Sequence, residues 1–484
     1  MMTTTAVLRA RTSTAAAPEQ GAATGAPERR RRTVAFGLLV SAQLVVMLDT
    51  SIVNVALPSI QADLGLSPAA LTWVVNAYVL TFGGLLLLSG RAADLFGRRR
   101  MFTAGSALFT LGTLLAAAAA NEQMLVAARV IQGAGAASLS PAAMSLLLLT
   151  FPGPGRAKAM SAWGAASAVG GATGVFLGGI LTGTFGWSAV FLVTVPVSIA
   201  SIALARRVLD DTAAGTRHRF DAPGAAAITG AVIALVHGAL GAADGQWTST
   251  PVLASFAASA ALTAAFIHIE RRSAEPLVPL ELFRSRVLST GVGLAVLGGA
   301  ARASSFVLVA LYLQQALHLA PRQAGLSMVP TSVTGFVVSL ALLPHVLRAL
   351  GPRRTLVAGL VVLACGHLWL AYGPHGAGYP VAVLPGLLLV AVGVALSFTP
   401  TTMIIASAVP ETHTGLASGL AGSATQVGAA LGTATFTAIG IAVSGSTSAG
   451  GTLDSAGFTA AFTAAAVVSV VTAGVGCAIA GRRC

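Results

Sequence analysis

The sequence predicts an all-α membrane protein made of two related six-helix halves with two further helices inserted between them. Three observations carry this. Of the 484 residues 55% are hydrophobic and only 9% are charged, at a mean hydropathy of +0.83, which no soluble domain of this size matches. About fourteen apolar runs are long enough to span a bilayer. Short segments of the first half also recur in the second at an offset that stays near 254–259 residues.

Taken in order, the runs at 34–57, 70–90, 101–120, 123–148, 158–182 and 187–206 make an N-terminal half over residues 34–206. Runs 223–243 and 251–269 are the two extra spans, inside a linker at 207–287. Runs 288–313, 323–347, 354–373, 379–405, 414–441 and 457–480 make a C-terminal half over 288–481. Residues 1–33 are read as a disordered cytoplasmic tail, because the first 28 are rich in Ala, Thr and Pro and hold no apolar run. Arg29–Arg32 followed by an apolar run looks like the start of an export signal. A carboxylate within that run and thirteen further spans argue for an uncleaved first helix instead.

The formal charge of +13 is a topology signal. Basic residues collect in the N-terminal tail and in alternate loops: Arg98–Arg100, Arg156 with Lys158, Arg206 to Arg219, Arg271 to Arg286, Arg348 with Arg353 and Arg354, and Arg482–Arg483. The intervening loops hold Asp63, Glu122, Asp244 and Asp454, with Arg322 their one base. Under the positive-inside rule both termini are cytoplasmic, in a cell membrane, and nucleic acid is not the partner. Cys365 and Cys477 lie within spans and Cys484 on the cytoplasmic side, so neither a disulfide nor a metal framework follows. One Lys against 27 Arg, with heavy Ala and Gly use, is the composition of a high-GC bacterial genome such as an actinobacterium's.

The repeat is clearest where Gly97-Arg-Arg-Arg-Met-Phe-Thr-Ala-Gly105 aligns without gaps to Gly351-Pro-Arg-Arg-Thr-Leu-Val-Ala-Gly359. Gly164, Val169, Gly170 and Gly174 match Gly422, Val427, Gly428 and Gly432, and Pro141 matches Pro400. Parallel halves around a central cavity are the arrangement this implies.

Asp49 lies within the apolar run 34–57, where a carboxylate at mid-bilayer depth costs about 2.5–3.5 kcal/mol. It is either a polar residue bonded to a neighbouring helix or a proton- or ion-carrying group. An Asp49→Asn chain is expected to insert and fold normally, since it removes a buried charge and keeps volume, and to lose any coupling the acid provides, since no other acid lies deep in a span. Arg129, inside the fourth run, is costly in the same way and is either functional or part of an ion pair within the N-terminal half. Between the second and third runs, Gly90-Arg-Ala-Ala-Asp94-Leu-Phe-Gly97-Arg98-Arg99-Arg100 combines two turn glycines with an acid and a base four residues apart.

That loop resembles the signature loop of the major facilitator superfamily, departing from it at Ala92 and Leu95. The resemblance implies an inner gate of Gly90, Asp94, Gly97, Arg98 and Arg99. Asp94 would there meet the cytoplasmic start of a helix of the opposite half, near Thr412–Thr414. Leu48-Asp49-Thr-Ser-Ile-Val-Asn54-Val-Ala-Leu-Pro58 resembles the first-helix motif of the fourteen-span drug:proton antiporters. This implies proton coupling by Asp49, on the cavity, with Arg129 assisting as the base of the family's fourth-helix motif. Asn54, Gln132, Arg302 and Gln426 are the remaining cavity and substrate candidates. Gly170, Gly174, Gly178 and Gly179 are similar to the antiporter motif of exporters. Val175 stands where that motif has Pro, so a straighter helix is expected. His237, His268 and His367 are read as hydrogen-bonded within helices.

Three classes of function compete. A membrane enzyme or ATP-driven pump is set aside: the single Lys158 stands between two alanines, so no Walker A loop exists, and His-Glu-x-x-His and Gly-x-Ser-x-Gly are absent. A proton-coupled exporter of drugs, antibiotics or secondary metabolites is preferred to a major facilitator importer or symporter of a small metabolite, on the Asp49 motif and the fourteen runs. No cofactor or metal is expected. The expected partners are protons, the lipid bilayer and a neutral or weakly anionic amphipathic small molecule.

Overall fold

A computed structural model describes residues 26–210, 221–243, 246–273, 275–374, 378–444 and 453–480. Most of the expected tail, part of the basic loop before residue 221, Asp244, and the terminal Arg482, Arg483 and Cys484 lie outside these. The described residues are helical throughout, without a strand. In chain order the helices are α1 (Ala26–Leu64), α2 (Pro68–Phe96), α3 (Arg98–Ala117), α4 (Glu122–Thr150), α5 (Pro154–Phe185), α6 (Ser188–Leu192), α7 (Val195–Val208), α8 (Ala222–Ala243) and α9 (Thr250–Arg272). They continue with α10 (Arg286–Leu311), α11 (Pro321–Ser327), α12 (Val329–Val337), α13 (Leu343–Tyr372), α14 (Tyr379–Ala382), α15 (Leu384–Ser407), α16 (Thr414–Ser444) and α17 (Ser455–Ala480). Single π-helical turns extend α10 over Tyr312–Ala316 and join α12 to α13 over Val338–Leu342.

Local chemistry sets several of these ends. Ser67 caps α2 by accepting from the Ala70 amide at 3.1 Å, with Pro68 in the first turn. Asn121 caps α4 through Met124 N–H at 2.9 Å. Gly97 separates α2 from α3 at φ 101°, and Gly351 interrupts α13 at φ 73°. These are the two glycines that head the repeated segment, and both adopt backbone that a side chain would strain. The tail is shorter than expected, because α1 begins at Ala26 and not at 34. Glu28 pairs with Arg32 at 3.2 Å, one turn on, and Arg31 pairs with Asp210, so the basic run continues the helix.

Twelve described helices are long and apolar enough to cross a membrane, or thirteen if the two parts of α5 make one span. The expectation was fourteen separate runs, and two places account for the difference. Gly155–Gly171 and Phe176–Phe185 of α5 meet at 41°, so the helix is not straight despite Val175. Successive glycines weaken the helix there without a proline. Residues 323–372 form one stretch of 50 residues, interrupted at Gly351.

Packing follows the repeat. In the first half α1 lies on α5 and α3 on α4; in the second, α10 lies on α16 and α13 on α15 and α17. Applying the offset makes α16 the counterpart of α5, and residues 323–350 the counterpart of α2. Across the seam α2 packs on α16 while α5 packs on α12. The contact is therefore reciprocal, as a two-fold relation between halves requires. Helices α8 and α9 cover the α2–α16 edge of that seam, with Leu87, Ala225, Phe266, Leu277, Val278 and Leu416 buried in one apolar cluster.

The α1–α5 contact depends on missing side chains. A Cβ at Gly174 would lie 2.7 Å from Ser51 Cβ, 2.8 Å from Leu48 O and 3.0 Å from Ile52 N, whereas one at Gly179 would meet nothing within 4 Å. Gly174→Val should therefore cost about 1–3 kcal/mol through overpacking and lower the Tm of the detergent-solubilised protein by several degrees. Gly179→Ala should leave it unchanged or slightly raised. Equal losses in both variants would contradict this packing account.

Candidate functional site

Four helices converge on Asp49, which is 0% exposed. Its Oδ2 accepts from Arg129 Nη1 at 2.8 Å and its Oδ1 from Gln132 Nε2 at 2.7 Å, so α4 fills both oxygens. Arg129 and Gln132 stand three residues apart and share a helix face. Arg129 Nη1 also donates to Gln132 Oε1 at 2.6 Å and its Nε to the Val74 carbonyl of α2 at 3.1 Å. The guanidinium carbon lies 4.3 Å from the Tyr78 ring centroid, a cation–π contact. Gln132 Nε2 further donates to Thr113 of α3 at 2.9 Å. Close helix approach makes this reach possible: a Cβ at Gly112 would come within 2.5 Å of the Gln132 amide.

This placement differs from expectation. Asp49 and Gln132 were expected on the cavity, with a bond to a neighbouring helix as the other reading of Asp49 and an ion pair within the N-terminal half as the other reading of Arg129. Instead Asp49, Gln132 and the 2%-exposed Arg129 form one enclosed network. Neutralising Asp49 alone would strand a buried cation, so Asp49→Asn is not a benign change. Asn54 is not part of the network; it lies on an exposed side of α1 and donates to Thr50 O at 3.1 Å. Chemically, the network can hold one proton on Asp49 in exchange for its bond to Arg129. Tyr78 and Thr113 carry no sequence signal for membership, because their roles depend on contacts between helices distant in sequence.

A second cluster closes the α2–α16 seam. Asp94 Oδ1 and Oδ2 accept from the amides of Gly415 at 2.9 Å and Leu416 at 2.7 Å, in the first turn of α16. A helix N-terminus presents such unpaired amides and favours an anion. Arg98 Nη2 bridges Asp94 Oδ1 at 2.8 Å and the Glu411 carbonyl at 2.7 Å. Gly90 lies where α2 and α16 almost touch; a Cβ there would be 2.9 Å from Gly419 Cα. Gly97 shapes the turn behind the acid, and Arg99 donates to Leu209 O at 3.4 Å, away from the seam. The reciprocal edge has no such acid. The offset of 254 places Arg348 where Asp94 would be, and its Nε donates to Pro344 O in its own helix at 3.1 Å. There Thr399 Oγ1 donates to Met160 O across the seam at 3.5 Å.

Of the other candidates, Gly170, Gly174 and Gly178 line α5 against α1, while Gly179 does not touch it. Gln426 is half-buried on α16, 3.6 Å from where a Cβ of Gly83 in α2 would be, and so faces the seam. Arg302 is 4% exposed within α10, its guanidinium carbon 5.9 Å from the Phe398 ring centroid. His367 is held between Ser305 at 2.7 Å and Ser469 at 3.4 Å, and His237 contacts Ser255 at 3.1 Å. Among the described residues no cluster of His, Cys, Asp and Glu could hold a metal ion.

The family profile described as Major Facilitator Superfamily matches residues 39–433. The chain is 37% identical over 406 residues to the cephamycin export protein CmcT of Amycolatopsis lactamdurans, covering 82% of this chain and 83% of that one. It is 35% identical over 423 residues to the puromycin resistance protein pur8 of Streptomyces alboniger, covering 86% and 83%. Among solved structures, the human organic anion transporter MFSD10 (TETRAN) superposes at TM-score 0.63 and 16% identity, covering 93% of this chain and 99% of that one. At that identity the likeness concerns the fold alone.

The seam geometry predicts the effect of removing its acid. Asp94→Ala leaves the Gly415 and Leu416 amides without their acceptor and Arg98 with the Glu411 carbonyl but no carboxylate. Contacts of this kind are worth about 0.3–1 kcal/mol, up to roughly 2 when partly buried. Single cysteines placed beside Gly415 should then label several-fold faster with a membrane-impermeant maleimide. Unchanged labelling would show that Asp94 does not hold the seam.

Proposed function

This chain belongs to the major facilitator superfamily, and we propose that it exports drugs, antibiotics or secondary metabolites across the cytoplasmic membrane in exchange for protons. It is a multi-pass membrane transporter and not an enzyme. Export is carried by one observation: similarity over more than four-fifths of the chain to a cephamycin export protein and a puromycin resistance protein. Proton coupling is supported by the enclosed Asp49–Arg129–Gln132 network, the one deep carboxylate of the described spans.

In this reading the halves, 34–206 and 288–481, rock about a midplane cavity, with 207–287 supplying two extra spans. Fourteen spans are supported by length: at ~1.5 Å per residue the stretch 323–372 would measure about 75 Å as one rod, against a hydrocarbon core of about 30 Å. It must reverse, and Gly351 is where its backbone leaves the helical region. The positive-inside pattern puts both termini and the Asp94 seam on the cytoplasmic side, where Gly90, Asp94, Gly97, Arg98 and Arg99 act as the inner gate. With that seam closed, Asp49 takes a proton from outside, Arg129 is released from it, and substrate leaves. With the seam open, the proton departs and substrate binds. One charge crossing 100 mV supplies about 2.3 kcal/mol. The substrate is neutral or weakly anionic, since Glu411 and Asp454, at helix ends, are the only acids after residue 287.

Two outcomes test this. Asp49→Asn should lose about 3–5 kcal/mol of stability, because Arg129 is left buried and unpaired. The double variant Asp49→Asn/Arg129→Gln should fold like the parent chain yet show no uptake of a fluorescent drug into inverted vesicles under an imposed pH gradient. Proton-dependent uptake by the well-folded double variant would remove Asp49 and Arg129 from coupling. In resistance profiles, expression should protect against neutral antibiotics more than against bis-quaternary ammonium antiseptics; the reverse pattern would overturn the substrate charge.

A further inference from the structure

Arg302 is a buried cation whose guanidinium makes no hydrogen bond or ion pair among the described residues. Its Nε, Nη1 and Nη2 are all enclosed, and none makes a hydrogen bond to a described residue. Arg129 shows how this chain treats a guanidinium that belongs to its own framework: a carboxylate, an amide oxygen, a carbonyl and a ring surround it. An unpaired buried charge is among the costliest groups a protein can keep. Arg302 stands sixteen residues into the 31-residue span Arg286–Ala316, midway through it and too deep for lipid headgroups. The offset of 254 puts it one residue short of the position equivalent to Asp49.

Its surroundings place it beside the contact between the two halves. The neighbouring Phe398 of α15 packs against the apolar cluster of the first half, so the ring bridges the two halves. The next residue, Thr399, makes the cross-seam bond to Met160. Gly298 leaves room for the guanidinium, since a Cβ there would meet Nη1 at 2.5 Å and Cζ at 3.1 Å.

We propose that Arg302 and Phe398 form an anion-binding subsite between the halves, which holds the carboxylate of an aromatic, amphipathic substrate. The guanidinium takes the acid through charge-assisted hydrogen bonds and the ring takes the substrate's flat face. The proposal rests on the exporter reading and narrows its substrate to weak aromatic acids.

The test uses the full chain in phosphatidylcholine nanodiscs and three acid/ester pairs: benzoate, 1-naphthoate and anthracene-9-carboxylate, each with its methyl ester. At least one acid should bind tenfold or more tightly than its ester. Arg302→Gln should abolish that preference while leaving ester affinity unchanged, and Arg302→Lys should keep part of it. Gly298→Ala, which retains the charge but displaces it, should weaken acid binding only. The Tm of Arg302→Gln should equal or exceed that of the parent chain, because an unpaired charge is lost; a marked fall would assign Arg302 to the framework. No acid preference in any pair, or a preference that survives in Arg302→Gln, would overturn the subsite. Loss of the preference when phosphatidylglycerol replaces phosphatidylcholine would also overturn it, by making a lipid headgroup the ligand. Proton-driven uptake of the esters into inverted vesicles separates this from the exporter reading. Absent uptake with intact acid binding removes the exporter and leaves the subsite; uptake without acid preference does the reverse.

Discussion

A bilayer offers no water to a buried polar group, and the architecture of this chain follows from how most such groups find a partner. Most hydroxyls turn back on their own helix, as Ser106, Thr110 and Thr113 do toward carbonyls four residues earlier. Amides and charges cannot be satisfied so locally, and they knit helices together. Gln43 joins α1 to α5 through Ser167 and to α4 through Ser140. Asp49, Arg129 and Gln132 then tie α1 and α4 to α2 and α3. The first half is thus held together by polar contacts at depth, and Trp187 donating to Asp63 at 2.7 Å fastens the end of α1 to the start of α6.

Small residues let those short bonds form. Where α3 meets α4, Gly105 and Gly112 bring backbones close enough for Thr113 to reach Gln132. Where α1 meets α5, the glycines four apart do the same, and Ser51 donates to Gly171 O at 2.7 Å. The Gly133-Ala-Gly135 run on α4 belongs to the same design; a Cβ at Gly133 would lie 2.8 Å from the Tyr78 carbonyl. Association here depends on proximity and polar complementarity, since lipid gives apolar surfaces no reason to prefer one another.

Much of this was legible in the sequence. Composition and run length disclose the helices, and the constant offset discloses the halves, because duplication leaves turn glycines such as Gly97 and Gly351 in register. The partner of Asp94 could be placed near Thr412–Thr414, since helix N-termini attract acids and the resemblance named the helix. The partner of Asp49 was harder to read. Arg129 is 80 residues away, and the sequence leaves open an ion pair within the N-terminal half without naming Asp49 as its acid. The tail was read from its Ala, Thr and Pro content, which does not show that Glu28 and Asp210 pair with Arg31 and Arg32 and that the helix starts at Ala26. Helix count was the least certain quantity, because a reversal at one glycine and a bend at several look alike in hydropathy.

The two edges of the seam are unequal in a way that shapes the motion available to the molecule. Two-fold symmetry would give each edge the same fastening, but Asp94 is matched by Arg348. The α2–α16 edge is clamped ionically and backed by α8 and α9, while the opposite edge packs α5 on α12, with the neutral Thr399–Met160 bond from α15 beside it. A joint that is stiff on one side and compliant on the other does not part evenly. Its charged contacts lie beside the inserted pair, and its neutral ones lie on the far side. A molecule that enters between the halves therefore meets a lopsided boundary, charged beside the inserted pair and neutral along α5.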